Sequence, residues 1–307
     1  MIRRVFSSAG FSEPINDEIV NGVKATSNGI RSGPAVNDQH GWIEKIVDDA
    51  ARRFESSLFI VGGWDWREAN GRLLQRRDAN LLENPGKEHL ANQCGSILAV
   101  WEQSGRPLEA CWIEIGNELD LSYWKKHLKE FHELAMACYE RVRSISKEIP
   151  FITGSTANFD CRPLWKKGGY EILDELCRLD WPSDTIQGLH PYRTESRQNE
   201  WPTWDSSNEA LEKLRDVLRG RDVAITEMGW RSRGKFSDAE IATFFRAELE
   251  MWDEFGAHCF VPYQIQDAAK PNNSGEGGFG VYTNLVDGFE PKLVAGVLGE
   301  WLAPKAG

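Results

Sequence analysis

The chain has no CxxC pair, although it holds six cysteines. Cys94, Cys111, Cys138, Cys161, Cys177 and Cys259 are scattered through apolar contexts, which predicts reduced, buried thiols rather than a disulfide framework or zinc ribbon. There is no HxH among the six histidines, which argues against a metal-dependent barrel hydrolase; neither metal nor organic cofactor is expected. GxxxxGK[ST] is missing and no GxGxxG follows an early strand, so the usual cradles for dinucleotides and nucleotides are not in place. The GEGGFG at 275–280 follows the last candidate strand and opens no helix, so it reads as a loop. Basic runs with interleaved aromatics are lacking and the formal net charge is −11, which argues against nucleic acid as a partner. No apolar run approaches membrane-spanning length, so no membrane partner is expected. The start, MIRRVFSSAGF, lacks the apolar core of a signal peptide and predicts a cytoplasmic chain; a secreted one trimmed after cleavage would read alike. With no Pro/Ser-rich linker or charge block along 307 residues, one domain over 1–307 is expected. The pattern sets no oligomeric state.

Tryptophan is abundant, with 13 residues. Indoles fill cores, and those lining a cleft are flat platforms for sugar rings and other ligands with apolar faces. Trp101, Trp252 and Trp301 fall on helical segments and read as core.

One organisational unit recurs: a short apolar run ends in Gly, Ser, Asn or an acid, and a segment of helical period follows. The candidate strands are 3–11, 28–35, 57–66, 111–118, 150–159, 184–193, 222–230 and 257–267. Candidate helices cover 17–27, 41–56, 87–105, 124–148, 208–221, 237–255 and 291–302. Ser237 with Glu240 fits a capping box, and Gly105 suits a helix end. Strands alternating with helices at about 38 residues per unit predict a single (β/α)8 barrel. Its active-site loops would gather at the C-terminal rim.

The fourth run, CWIEIGNELDL (111–121), carries acids where a strand should be buried, and buried carboxylates are costly unless paired or used. If Glu118 faces the mouth, strand parity turns Gly116, Glu114 and Trp112 inward and Ile113 and Ile115 outward. Glu114 then reads as an interior carboxylate satisfied by a polar neighbour. The seventh run, DVAIT, is broken just as abruptly by Glu227, 109 residues after Glu118. That is three βα units, which places the two strands nearly across the barrel from one another. Two facing carboxylates are what glycoside hydrolysis requires. One, kept protonated, donates to the leaving oxygen; the other, kept ionised, attacks or stabilises the anomeric centre.

IGNE at the end of strand four, HPY at strand six and ITEMGW at strand seven together resemble clan A of the glycoside hydrolases, nearest to families 39 and 5. The resemblance implies a (β/α)8 fold and retaining hydrolysis of an O-glycosidic bond, of β type, in an oligo- or polysaccharide. It implies Glu118 as acid/base, Asn117 as ligand to the sugar 2-hydroxyl and Glu227 as nucleophile. His190 and Tyr192 resemble the clan's strand-six pair, in which the tyrosine hydroxyl orients the nucleophile. Arg31 resembles the clan arginine beside the nucleophile, with a barrel-interior salt bridge as its other reading. YQIQD and FGVYTNLVDGFEPKL resemble the eighth strand and last helix of families 39 and 5. The tryptophan that often floors the sugar site after strand eight is missing, so Tyr263, Gln264, Gln266 or Trp230 must serve. Trp64 and Trp66 stand where a histidine is often seen after strand three. Trp64, Trp66, Trp230, Tyr263 and Gln264 are thus the candidate substrate-binding residues. The rival reading is a carbohydrate-binding barrel that has lost turnover.

Overall fold

The computed structural model describes residues 4–8, 16–32, 42–62, 68–69, 72–73, 85–120, 123–156, 169–191, 207–230, 236–267, 279–283 and 287–303. Eight parallel strands close into a barrel: β1 Arg4–Ser8, β2 Gly29–Ser32, β3 Ser56–Val61, β4 Cys111–Ile115, β5 Phe151–Thr156, β6 Thr185–Leu189, β7 Asp222–Met228 and β8 Cys259–Pro262. β1 pairs with both β2 and β8, which closes the ring. Each strand is followed by a helix: α1 Asp17–Thr26, α2 Trp42–Arg53, α3 Pro85–Gln103, α4 Leu128–Ile145, α5 Gly169–Cys177, α6 Ser207–Leu218, α7 Asp238–Phe255 and α8 Leu293–Leu302. This is the (β/α)8 barrel that the alternation predicts. A short antiparallel pair, Glu68–Ala69 with Arg72–Leu73, lies between β3 and α3. Among the described residues no helix is long and apolar enough to cross a membrane.

α5 does not stand out in the sequence pattern. It has only nine residues, and its buried side chains Ile172, Leu173, Leu176 and Cys177 make a stripe of under about two turns, too short to stand out. The helix expected from residue 124 begins later. Tyr123–Lys126 forms a 3-10 turn, and His127 leaves the helical region before α4 starts at Leu128. The capping box forms as predicted: Ser237 Oγ accepts from Glu240 N, and the Glu240 carboxylate accepts from Ser237 N.

The core has two parts. Outward-facing strand residues such as Ile113, Ile115, Phe59 and Ile225 pack beneath the helices with Trp101 and Trp252. Inside the barrel Phe6, Leu58, Trp112, Ile152, Ile186, Ala224, Cys259 and Val261 form a plug. Trp112 meets Phe6 edge-on at 5.6 Å. β2 gives this plug no apolar side chain, because Gly29 lies so close to β3 that a Cβ would fall 1.6 Å from Ser56 O. The next inward residue of β2 is Arg31, and the barrel turns polar there.

The five cysteines among the described residues are free and buried. Burial lifts the Cys111 and Cys259 thiols well above their usual range and Cys177 up to about 11. Thiolates are the reactive species. Iodoacetamide at neutral pH should therefore leave these five unmodified in the folded protein, as peptide mapping would show; Cys161 lies outside the described residues.

Candidate active site

β4 ends on a deliberate backbone device. Trp112 and Glu114 point inward and Ile113 and Ile115 outward, as strand parity requires. Gly116 then takes φ +79° and Glu118 φ +49°, so the chain turns sharply as it leaves the strand. A left-handed conformation costs a non-glycine residue roughly 1–2 kcal/mol and persists only where its surroundings enforce it. Gly116 has no room for a side chain, since a Cβ would lie 2.7 Å from Phe131 Cε2. Gly116→Ala should destabilise the protein by about 1–3 kcal/mol in urea unfolding, because the new methyl meets both the strained φ and the Phe131 ring.

β7 reaches the same layer by a different route. Ala224 belongs to the inner plug, and Val223 and Ile225 belong to the outer shell. Strict alternation would therefore turn Glu227 outward. It does not, because the register against β8 slips: Phe260 faces Ile225 but Pro262 faces Met228, three residues on β7 against two on β8. The extra residue is a bulge, a common way to re-aim a side chain at a site. Met228 rejoins the outer shell, and Glu227 points inward at the polar layer.

Arg31 joins these parts. Its Nε donates to Glu114 Oε2 at 3.0 Å, Nη1 to Glu227 Oε2 at 2.9 Å and Nη2 to Asn117 Oδ1 at 3.1 Å. Arg31 thus makes the interior salt bridge that was one of its two readings, and the same side chain lies against Glu227, where the other reading placed it. Burial alone would pull the guanidinium pKa down, but Glu114 and Glu227 outweigh it and hold it above its ordinary value. Arg31 is a permanent cation at 1% exposure. Glu114 is the interior carboxylate expected, and its polar neighbour is Arg31.

His190, just past β6, lies 3.3 Å by Nε2 from Arg31 Nη2. An arginine nitrogen can only donate, so Nε2 is the acceptor in that contact, and the other ring nitrogen is Nδ1. That nitrogen faces Glu118 Oε1 at 3.5 Å and Glu227 Oε2 at 3.8 Å. One ligand atom from each of Glu118, His190 and Glu227 lies within 4.8 Å of the others. Such a trio could in principle ligate a metal, but Arg31 already supplies a fixed cation to Glu227 and His190 and would repel a second. The Glu118 and Glu227 side chains keep 15% and 12% exposure, whereas Glu114, Arg31 and His190 are almost fully covered. The two glutamates are the acids that this layer presents to the mouth.

The other sequence candidates fare differently. Trp230, expected to stack on a sugar, is 1% exposed, with its ring packed against Phe236 and Phe244. It is a core residue, packed into the outer shell with almost no surface left for a ligand. Tyr263 and Gln264 are half-buried at the end of β8. Tyr263 N donates to Met228 O at 2.7 Å, and its ring meets Phe279 edge-on. Trp64, Trp66 and Tyr192 lie outside the described residues. Pattern reading missed Ser155 at the end of β5, whose hydroxyl accepts from Glu118 N at 3.2 Å. A small polar residue closing the apolar run FITGST was its one signal.

No family model matches the chain, and no curated protein matches it in sequence. Solved structures match it in fold. The exo-β-1,4-mannosidase Op5Man5 from Opitutaceae bacterium strain TAV5 superposes with a TM-score of 0.63 at 15% identity, over 98% of this chain and 59% of that one. Thermotoga maritima Cel5A, solved in complex with mannotriose, gives 0.58 at 16% identity over 97% of both chains. A family 39 glycoside hydrolase from Bacteroides cellulosilyticus WH2 gives 0.63 at 16% identity, over 96% of this chain and 62% of that one. The barrel fold is shared with glycoside hydrolases of families 5 and 39. The likeness extends over nearly all of this chain, which spans less than two thirds of the length of the mannosidase and the family 39 enzyme.

Proposed function

We propose that the chain is a retaining glycoside hydrolase acting on β-type O-glycosidic bonds of an oligo- or polysaccharide. The observation that carries this reading is the pair Glu118 and Glu227. They rise from strands on opposing sides of the barrel and bring one oxygen each within 4.8 Å, with the buried His190 beside both. Retaining glycosidases hold their carboxyl groups about 5–5.5 Å apart, whereas inverting ones need about 6.5–9.5 Å to admit a water. A nearest oxygen approach within 4.8 Å is closer to the retaining arrangement than to the inverting one. That the neighbouring structures include an exo-β-1,4-mannosidase and an endo-β-1,4-mannanase from Thermotoga petrophila supports the β linkage.

In this reading Glu118 gives its proton to the leaving oxygen as a Glu227 oxygen attacks the anomeric carbon and forms a glycosyl ester. Glu118, now a carboxylate, takes a proton from water; that water attacks the anomeric carbon and releases Glu227. The Arg31 bond to Glu227 Oε2 fixes the attacking carboxylate in plane and favours its anion. Asn117 accepts from Arg31 through Oδ1, so its NH2 is the group left to meet a sugar hydroxyl. No step in this scheme calls for a cofactor.

Nitrophenyl β-glycosides of the common hexoses and pentoses, with β-1,4-glucan and β-1,4-mannan, test the proposal. Release of nitrophenol or reducing sugar is expected for at least one. Calorimetric binding of an oligosaccharide with no cleavage of any substrate would identify a binding barrel instead.

A further inference from the structure

We infer that Ser155 is a positioning residue that aims Glu118, an assignment resting on the glycosidase reading. Phe151 and Thr153 precede Ser155 at two-residue spacing, and Phe151 belongs to the outer shell. Alternation would therefore turn Ser155 away from the barrel axis. The β5 register slips just there: Thr153 faces Gln187 but Thr156 faces Leu189, three residues against two. This second bulge carries Ser155 to the end of β4, where two hydrogen bonds meet it. Ser155 Oγ accepts from Glu118 N at 3.2 Å and Ser155 O accepts from Leu119 N at 2.8 Å. The neighbouring Gly154 permits the approach, since a Cβ there would lie 2.5 Å from Leu119 Cδ1.

The bonded peptide is the strained one. Glu118 has φ +49°, and a glutamate stays there only where its surroundings over-determine the backbone. Ser155 is fully buried, so water does not readily replace its hydroxyl. Loss of that oxygen leaves the Glu118 N–H short of its acceptor and frees the peptide to relax, which swings the carboxyl away from the leaving oxygen. The Arg31 bond to Glu227 runs through other strands and is untouched. The expected defect is therefore confined to proton donation.

Leaving-group dependence isolates that step. A dinitrophenolate departs without protonation and an alkoxide does not, and kcat/KM reports the bond-breaking half-reaction. Ser155→Ala should lower kcat/KM for an alkyl glycoside about tenfold, within the usual reach of general acid catalysis, and change the dinitrophenyl glycoside less than about twofold. Ser155→Thr, which keeps the hydroxyl, should restore most of the alkyl activity. Ser155→Cys, with a weak sulfur acceptor of similar size, should fall between them and serves if the alanine variant does not fold. Equal losses on both substrates, or no loss on the alkyl glycoside, would overturn the assignment. A wild-type protein that cleaves no glycoside would instead overturn the glycosidase reading on which it rests.

Discussion

Glu227→Gln should lower kcat/KM for an aryl β-glycoside by at least about 10^4-fold, the largest effect expected of a single substitution here. The amide keeps the shape of the carboxylate but does not attack the anomeric carbon. The loss should be nearly the same whether the leaving group is activated or not, because the missing group forms the new bond rather than assisting the departing one. The fold should survive. Arg31 loses one anionic partner but keeps Glu114 at 3.0 Å and Asn117 at 3.1 Å, so the buried guanidinium is not orphaned. Thermal unfolding close to wild type together with the lost turnover would separate chemistry from collapse. A variant with unchanged turnover would remove Glu227 from the mechanism.

The second large effect is on stability. Arg31→Met should destabilise the protein by about 3–5 kcal/mol, the usual result when one member of a buried charged network is deleted and the others stay. Glu114 would then sit fully buried with no cation, and Glu227 would lose the contact that fixes its plane. Turnover should fall as well. Adding Glu114→Gln removes the stranded interior charge, so the double variant should regain part of the stability but none of the activity. Urea unfolding of wild type, both single variants and the double variant closes the cycle. Additive losses, with no recovery in the double variant, would mean that Arg31 and Glu114 are not energetically coupled.

Much of this architecture could be read in the chain. Strands covered on both faces are so uniformly apolar that Glu118 and Glu227 stand out where those runs meet solvent. Their three-unit separation already placed them across a barrel, and Glu114 followed from parity, whereas His190 and Arg31 were singled out only through the resemblance of their motifs to clan A. Parity failed at β5 and β7, because a bulge is a property of two paired strands and neither strand shows it alone. In the structure the slip shows at Met228, which returns to the outer shell three residues after Ile225 rather than two. Ser155 was missed for the same reason, since its role exists only once β5 slips against β6. Trp230 was misjudged because a strand-end position does not reveal that Phe236 and Phe244, supplied from beyond the strand, pack against the indole. α5 escaped notice because nine residues carry too little periodicity.

The central claim is that Glu118 and Glu227 cleave a glycosidic bond by two displacements at one carbon. Its most direct test is anomer-resolved proton NMR of the first product formed from whichever β-glycoside the protein cleaves. The account predicts that the β anomer appears first and mutarotates afterwards. First appearance of the α anomer would contradict it.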